Sequence, residues 1–279
     1  MAIRVVTDST ADLPADMVQD LGIHVVPLNV HFGEDTFLDG VDINPDDFYR
    51  RLVASARAPT TSQPSVGAFV ETYERLLAES DGVVSVHLSS HVSGTHNSAT
   101  QAREEMGKDK PIVVVDSLQA SLSLGLAVQA AARAAQRGAG LAEVQAEAES
   151  ASGRAHLFGL LETLEYLQRG GRIGRAQAWV GTLLRVKPIL TIRDGIAHPL
   201  ERPRTRAKGV DRLVELTVEH SPLEGLAVIH SNSPEHAAAL VERVAACLPE
   251  GKIIVGRFGP VMGTYLGPGA LGIALLEAL

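Results

Sequence analysis

"GVVSVHLSSHVSGTHNSA", residues 82–99, is the stretch whose reading decides the fold. Val83 to Leu88 is a short apolar run rich in β-branched residues, which reads as a buried strand. The run ends in a hydroxyl-rich turn that carries Ser89, Ser90, Ser93, Thr95 and Ser98 around Gly94, and a helical stretch follows. Strand, polar turn and helix in that order is the unit from which parallel sheets are built. The turn itself has three uses. It can hold an anion at the unpaired N–H groups of a helix start, arm a nucleophile, or cap the helix.

The same unit recurs on both sides. Ile3 to Val6 reads as a strand that ends in Thr7-Asp8-Ser9-Thr10, and the helix ADMVQDLG then closes at Gly22. Pro111 to Val115 is a strand that ends in Asp116-Ser117. A long Ala-rich helix follows, broken near Gly138 and Gly140, and a second helix runs from Leu141 to Ser150. Between these units, Ile23 to Phe32 alternates like a strand, with Pro27 marking an edge or a bend. Asn44-Pro45 opens a helix through Leu52. Pro59-Thr60-Thr61-Ser62-Gln63-Pro64-Ser65 reads as a loop. The helix after it places Val66, Phe69, Val70, Tyr73, Leu76 and Leu77 on one face. Three strands thus end in Asp8-Ser9, Ser89-Ser90 and Asp116-Ser117. Open parallel sheets bind ligands at such carboxyl ends, although helix caps alone account for any single one.

The second half changes character. His156 to Leu161 reads as a strand, Glu162 to Gln168 as a helix ending at Gly170-Gly171, and Trp179 to Arg185 as a short helix. Ile189–Ile192 and Ile196–Leu200 form a hairpin about Asp194-Gly195. Leu226–His230 and Ile253–Arg257 are strands, with a helix from Pro234 to Cys247 between them. The last stretch, GALGIALLEAL, is expected to be an apolar helix. The expected architecture is α/β: an N-terminal parallel-sheet domain over residues 1–153 and a C-terminal α+β domain over 154–279. The helical segment 63–79 is a candidate for packing against the second domain.

Composition narrows the function. The 279 residues are 45 % hydrophobic and 21 % charged, so a substantial core is available. Aromatics are only 4 %, so Val, Leu, Ile and Ala must build that core. A net charge of −8 argues against nucleic acid, which needs a positive surface. The single cysteine, Cys247, excludes an internal disulfide and fits a reducing compartment. No secretory leader or membrane-spanning run is evident, which implies a cytoplasmic protein.

At Ser93-Gly94-Thr95, Gly94 allows close approach of a ligand and the two hydroxyls add donors. Thr60-Thr61-Ser62 offers the same ingredients at another helix start. Neither loop carries Lys or Arg, which favours a singly charged carboxylate over a phosphate. The alternative is an acyl hydrolase with Ser93 as nucleophile, His91 or His96 as base and Asp8 or Asp116 as orienter. That reading lacks the G-x-S-x-G elbow. His87, His91 and His96 lack a completing Cys or carboxylate, so no metal site is expected. A P-loop lysine and G-x-G-x-x-G are both missing, which disfavours a nucleotide site.

The chain resembles the DegV family, whose characterised members include the fatty-acid-binding (FakB) subunits of bacterial fatty acid kinase. The resemblance rests on TDSTADLP (7–14), PTTSQPS (59–65), LSSHVSGTHNSA (88–99), VVDS (114–117), LEYLQRGGRI (164–173), KPIL (187–190), Arg204-Thr205 and GPVMGTYLGPGALG (259–272). It implies a DegV-like fold of two α/β domains with one long-chain fatty acid between them and no other cofactor. It further implies that the protein is a carrier and not itself an enzyme. The carboxylate would be held by Thr61, Ser93 and the Gly94 amide, with Ser62 and Thr95 in support. A separate ATP-dependent kinase subunit (FakA-like) would phosphorylate it to an acyl phosphate for phospholipid synthesis, docking through Arg172 and Arg204. Transient membrane contact would accompany delivery. The family usually carries His in the GTHxGPG segment. Here Tyr265 stands in its place, so a neutral phenol replaces an imidazole as the third contact. Phe69, Leu122, Leu126, Phe158 and Trp179 are candidates for lining the acyl pocket, or for the core.

Overall fold

The computed structural model describes residues 3–55, 57–180, 186–248 and 251–279. The first half runs β1 (Ile3–Asp8), α1 (Ala15–Asp20), β2 (Ile23–Val26), β3 (Asn29–Phe32), β4 (Asp35–Leu38), α2 (Pro45–Ala54), β5 (Thr60–Ser62), α3 (Val66–Leu77), β6 (Gly82–His87), α4 (Thr95–Met106), β7 (Ile112–Asp116), α5 (Leu122–Gln136) and α6 (Leu141–Arg154). The second half runs β8 (Ala155–Leu160), α7 (Glu165–Gly170), β9 (Ile189–Arg193), β10 (Ile196–Glu201), α8 (Arg206–Glu219), β11 (Leu223–His230), α9 (Pro234–Val244), β12 (Ile254–Arg257), α10 (Pro260–Leu266) and β13 (Leu271–Glu277).

The repeated strand–turn–helix unit produces a four-stranded parallel sheet in the order β2-β1-β6-β7. Its central strands, β1 and β6, are buried on both faces, as parallel strands usually are. Val6, Val83 and Ile112 pack on Phe69, Tyr73 and Leu76 of α3 and on Ala99 and Ala102 of α4. Val5, Val84 and Val86 pack on Leu124, Val128 and Ala131 of α5 and Val144 and Ala148 of α6. Helix α3 thus closes the parallel sheet. Its main contacts are α4, β6 and β2, so the expected packing of this segment on the second domain is not what its apolar face does.

The second half forms a mixed six-stranded sheet, β10-β9-β8-β13-β11-β12. One face carries α8 and α9 over Phe158, Leu160, Val228, Ile273 and Leu275. The other face turns Leu157, Leu161, Leu190, Ala227 and Ala274 toward Leu122 and Leu126 of α5. Helix α5 is therefore shared by both sheets. Residues 122–132 are buried without a break, and alanine lets two layers approach one helix from opposite sides.

Four sequence expectations change. Residues 271–277 are a strand, not a helix. β13 lies between β8 and β11, paired to both, and six of its seven residues are buried. An apolar run buried on both faces has no alternation to distinguish it from a helix. The segment 23–32 is two strands in two sheets. Pro27 separates β2, in the parallel sheet, from β3, in a small antiparallel sheet of order β4-β3-β5. Part of the 59–65 loop is β5, the edge of that small sheet. Helix α10, inside the 259–272 motif, has no counterpart in the sequence reading. The helix expected over 179–185 falls mostly outside the described residues. Trp179 itself ends a 3-10 turn from Gly174. Among the described residues no helix is long and apolar enough to cross a membrane.

Candidate functional site

Of the three polar strand ends, two are occupied in building the chain. Asp8 Oδ1 accepts from Thr10 N at 3.0 Å and from the Thr10 hydroxyl at 2.5 Å, and Asp8 Oδ2 accepts from Leu88 N at 3.1 Å. Asp116 accepts from the backbone N–H groups of Ser90 and Leu118. Ser89 Oγ accepts from His91 N, and His91 Nδ1 lies 2.8 Å from Asp194 O. The Asp194-Gly195 turn of the β9–β10 hairpin docks here. Gly195 has φ +74°, and a Cβ on it would collide with Ser89 Oγ. The strand-end turn therefore holds the two halves together.

The remainder of the turn opens onto a cavity. Gly94 starts α4, and Ser93 Oγ lies 2.9 Å from Thr95 Oγ1. A Cβ on Gly94 would stand 3.0 Å from the Gln63 amide, so the glycine admits the 59–65 segment alongside. From that segment Thr61 Oγ1 meets Tyr265 OH at 2.5 Å. The Arg172 guanidinium lies over the Tyr265 ring, 5.4 Å from its centroid. Its Nη1 donates to Gly170 O at 2.9 Å and its Nε to Val92 O at 3.3 Å. The backbone of Gly170 packs against that ring, where a Cβ would collide. Four distant segments thus converge on one polar cluster: Thr61–Gln63, Ser93–Gly94, Arg172 and Tyr265.

This cluster sits on a cavity of about 970 Å³, open mouth included. Its walls are Leu28, Leu88, Leu157, Leu161, Leu190, Ile192 and other apolar side chains, and Arg172 is the one charged residue among the described lining residues. A second hollow shares Thr61, Arg172 and Tyr265 with the cavity and continues over Pro59, Tyr166 and Arg169. The polar end therefore adjoins a second recess.

The sequence-predicted residues fall into three groups. Thr61, Ser93, Gly94 and Tyr265 are together, and Arg172 joins them at the rim. Ser62 borders the cavity, but its hydroxyl is engaged by His31 Nε2 at 3.0 Å and Asn29 Nδ2 at 3.2 Å. Thr95 is buried behind Ser93. Arg204 stands apart, exposed just before α8, and borders neither the cavity nor the hollow. None of Phe69, Leu122, Leu126, Phe158 and Trp179 lines the cavity. Phe69, Leu122, Leu126 and Phe158 are core residues, and Trp179 packs at the edge of the core. Phe158 points away because its neighbours Leu157 and Gly159 point in, the alternation of a strand. Gln63, Leu157, Gly159, Leu161 and Leu190 were missed. The inward parity of β8 was the available signal.

A Ser-His-Asp alignment does exist, but elsewhere. His87 Nδ1 lies 2.9 Å from Asp8 Oδ2 and His87 Nε2 lies 2.7 Å from Ser85 Oγ. Tyr73 OH donates to Ser85 Oγ at 2.8 Å, and burial pushes that phenol above its ordinary range. Ser85, His87, Asp8 and Tyr73 are all fully buried. No substrate reaches this relay, and it buttresses β1 against β6. Among the described residues Ser93 Oγ meets Thr95 and no histidine, so the hydrolase reading is not favoured.

Two acids mark the seam between the halves, Asp39 buried and Asp12 half-buried. Asp12 accepts from Ser121 Oγ at 2.6 Å and from Gly259 N at 2.8 Å. Asp39 accepts from Val261 N at 3.4 Å. Burial raises the carboxyl of Asp12 well above its ordinary value and that of Asp39 to about 7.

The sequence profile described as "Uncharacterised protein, DegV family" matches residues 2–278. Protein DegV of Bacillus subtilis is 40 % identical over 278 residues, covering 98 % of each chain. Among solved structures, a DegV family protein from Thermus thermophilus, described by its fatty acid binding, superposes with a TM-score of 0.92 at 35 % identity over both full chains. DegV of Bacillus subtilis, described as a fatty acid binding protein, gives 0.90 at 37 % identity, also over both full chains. A stearic-acid-binding protein from Eubacterium ventriosum gives 0.90 at 26 % identity, covering 99 % of this chain and 98 % of that one.

Proposed function

This chain belongs to the DegV family, and on that premise we propose that it binds one long-chain fatty acid and presents the carboxylate to a separate kinase subunit. The observation that carries the reading is the cavity: apolar along its length, with hydroxyls, an amide and one guanidinium gathered together. An acyl chain of roughly sixteen carbons would gain on the order of 12 kcal/mol gross from burial, at about 0.8 kcal/mol per methylene. Association and ordering offset part of that. A hydrogen bond to a charged carboxylate adds about 1.5–3 kcal/mol. Chain burial therefore dominates affinity, and the hydroxyls fix the head group.

Thr61 and Tyr265 meet at 2.5 Å, so a carboxylate oxygen beside them would receive a donor already oriented by its neighbour. Ser93 and the Gly94 amide would donate to the second oxygen. In the kinase step that oxygen attacks the γ-phosphorus of ATP held by the partner. The new O–P bond forms as the bond to ADP breaks. Nothing in this chain needs to bind the nucleotide. The adjoining recess over Pro59, Tyr166 and Arg169 supports access to the carboxylate from outside. Arg172, already bound to Gly170 and Val92, would serve the head group and the rim before any docking role, while Arg204 remains free to meet a partner.

Two measurements test this reading. Mass spectrometry of a denaturing organic extract should recover a long-chain fatty acid after incubation with one, and an empty protein overturns the ligand. In the presence of a cognate kinase and ATP, Ser93→Ala should keep its lipid while acyl phosphate formation falls. Equal loss of both refutes the division between chain and head group.

A further inference from the structure

Behind the acyl cavity, on the opposite face of the mixed sheet, three potential metal ligands meet. His156 is the second residue of β8, Glu277 ends β13, and His220 follows the last turn of α8. Residues 156 and 275 are direct cross-strand partners, so Glu277 lies two positions along on the same face as His156. His220 Nδ1 is 2.6 Å from Glu277 Oε1, and His156 Nε2 is 3.3 Å from the same oxygen. The three ligating atoms all lie within 4.8 Å of one another.

We propose that His156, His220 and Glu277 form a site for a divalent first-row transition metal of the Zn2+ type. Two imidazoles with one carboxylate is a recurrent three-ligand set that leaves coordination positions to solvent. Metal–ligand bonds of about 2.0–2.2 Å place neighbouring ligand atoms roughly 3.3 Å apart, so only small side-chain adjustments are required. Three further features favour a cation over a simple His–Glu pair. His156 Nε2 is shielded from solvent and meets Glu277 Oε1 at 3.3 Å without good hydrogen-bond geometry. Both imidazoles address a single carboxylate oxygen, which a shared cation would satisfy better. The rings are also held in place: Phe158 stacks on His156 at 6.2 Å and meets His220 at 5.4 Å, and the two imidazoles are 4.4 Å apart. The Arg154 guanidinium donates to Glu224 Oε2 and to the Glu277 carbonyl, and it also faces Glu147. Its charge is thereby met by carboxylates outside the site. The side chains are between 25 % and 39 % exposed, so an ion can enter from solvent.

The test uses the full chain after chelator treatment, with Zn2+ alone. Calorimetry should give one equivalent bound to the wild type. Affinity should fall by more than about tenfold in both His220→Gln and Glu277→Gln, with fatty-acid uptake unchanged as the check on folding. A readout without variants is carbethoxylation of His156 and His220, mapped by peptide mass spectrometry, which one equivalent of Zn2+ should slow. Absence of Zn2+ binding, unchanged affinity in the variants, or equal modification rates with and without Zn2+ overturns the proposal.

Discussion

Two hydroxyl-bearing polar clusters flank the same strand-turn segment. One is Ser85, His87 and Asp8, within and beside β6. The other is Thr61, Ser93 and Tyr265, around the turn that follows. The first has the connectivity of a catalytic triad yet is sealed, with every member paired inside the protein. The second has no imidazole and no strong base, yet it opens on the apolar cavity. Accessibility, not residue type, separates a buttress from a binding site. A sealed polar network must be complete because a buried unpaired group is costly. An open one can leave donors for a ligand.

Breaking the sealed cluster should have the largest effect on stability. Asp8→Ala strands the hydrogens of His87, Thr10 and Leu88, and should cost about 3–5 kcal/mol in chemical denaturation. The fatty acid bound per folded chain should not change. If Asp8→Ala instead empties the cavity in a stable protein, the two clusters are not separate.

The buried seam should respond to pH. Asp39 has its carboxyl raised to about 7 in the folded protein by burial. Folding therefore takes up a proton between about pH 4, where the unfolded carboxyl titrates, and about pH 7. The stability that Asp39 contributes is complete at the acidic end of this window and is lost as pH rises through about 7. Asp39→Asn should flatten that fall, a change on the order of a few kcal/mol across the window. An unchanged slope would remove Asp39 from the account.

The open cluster should behave in the opposite way to the sealed one. Thr61→Val should change stability by less than about 1 kcal/mol, while fatty-acid affinity falls about tenfold through loss of one bond to a charged group. The smallest effect belongs to Tyr265→Phe. Losing its hydroxyl takes one neutral donor from the head group, so fatty-acid affinity should fall only severalfold. A fall larger than that of Thr61→Val would contradict this ranking of the two hydroxyls.

Much of this contrast was legible in the sequence. The strand–turn–helix units exposed the parallel sheet, and the hydroxyl-rich loops at 59–65 and 93–95 marked the open cluster. Other features were hidden for physical reasons. β13 is buried on both faces, so its run LGIALLE carries no period. β5 is three residues long, too short for a pattern. The parity of β8 decides whether Leu157 or Phe158 faces the cavity, and parity depends on which neighbours cover each face. His156, His220 and Glu277 come from separate elements, so no local spacing announces them.

The central claim, that the cavity between the halves holds an acyl chain, is tested most directly by filling it from the sheet. Gly159 lines the cavity, and a Cβ there would meet nothing closer than Leu161 Cδ2 at 3.9 Å. Leucine at this position should fold and occupy the space of the acyl chain. Native mass spectrometry after incubation with a long-chain fatty acid should find one lipid on the wild type and little or none on a folded Gly159→Leu. Equal lipid on both proteins would contradict the account.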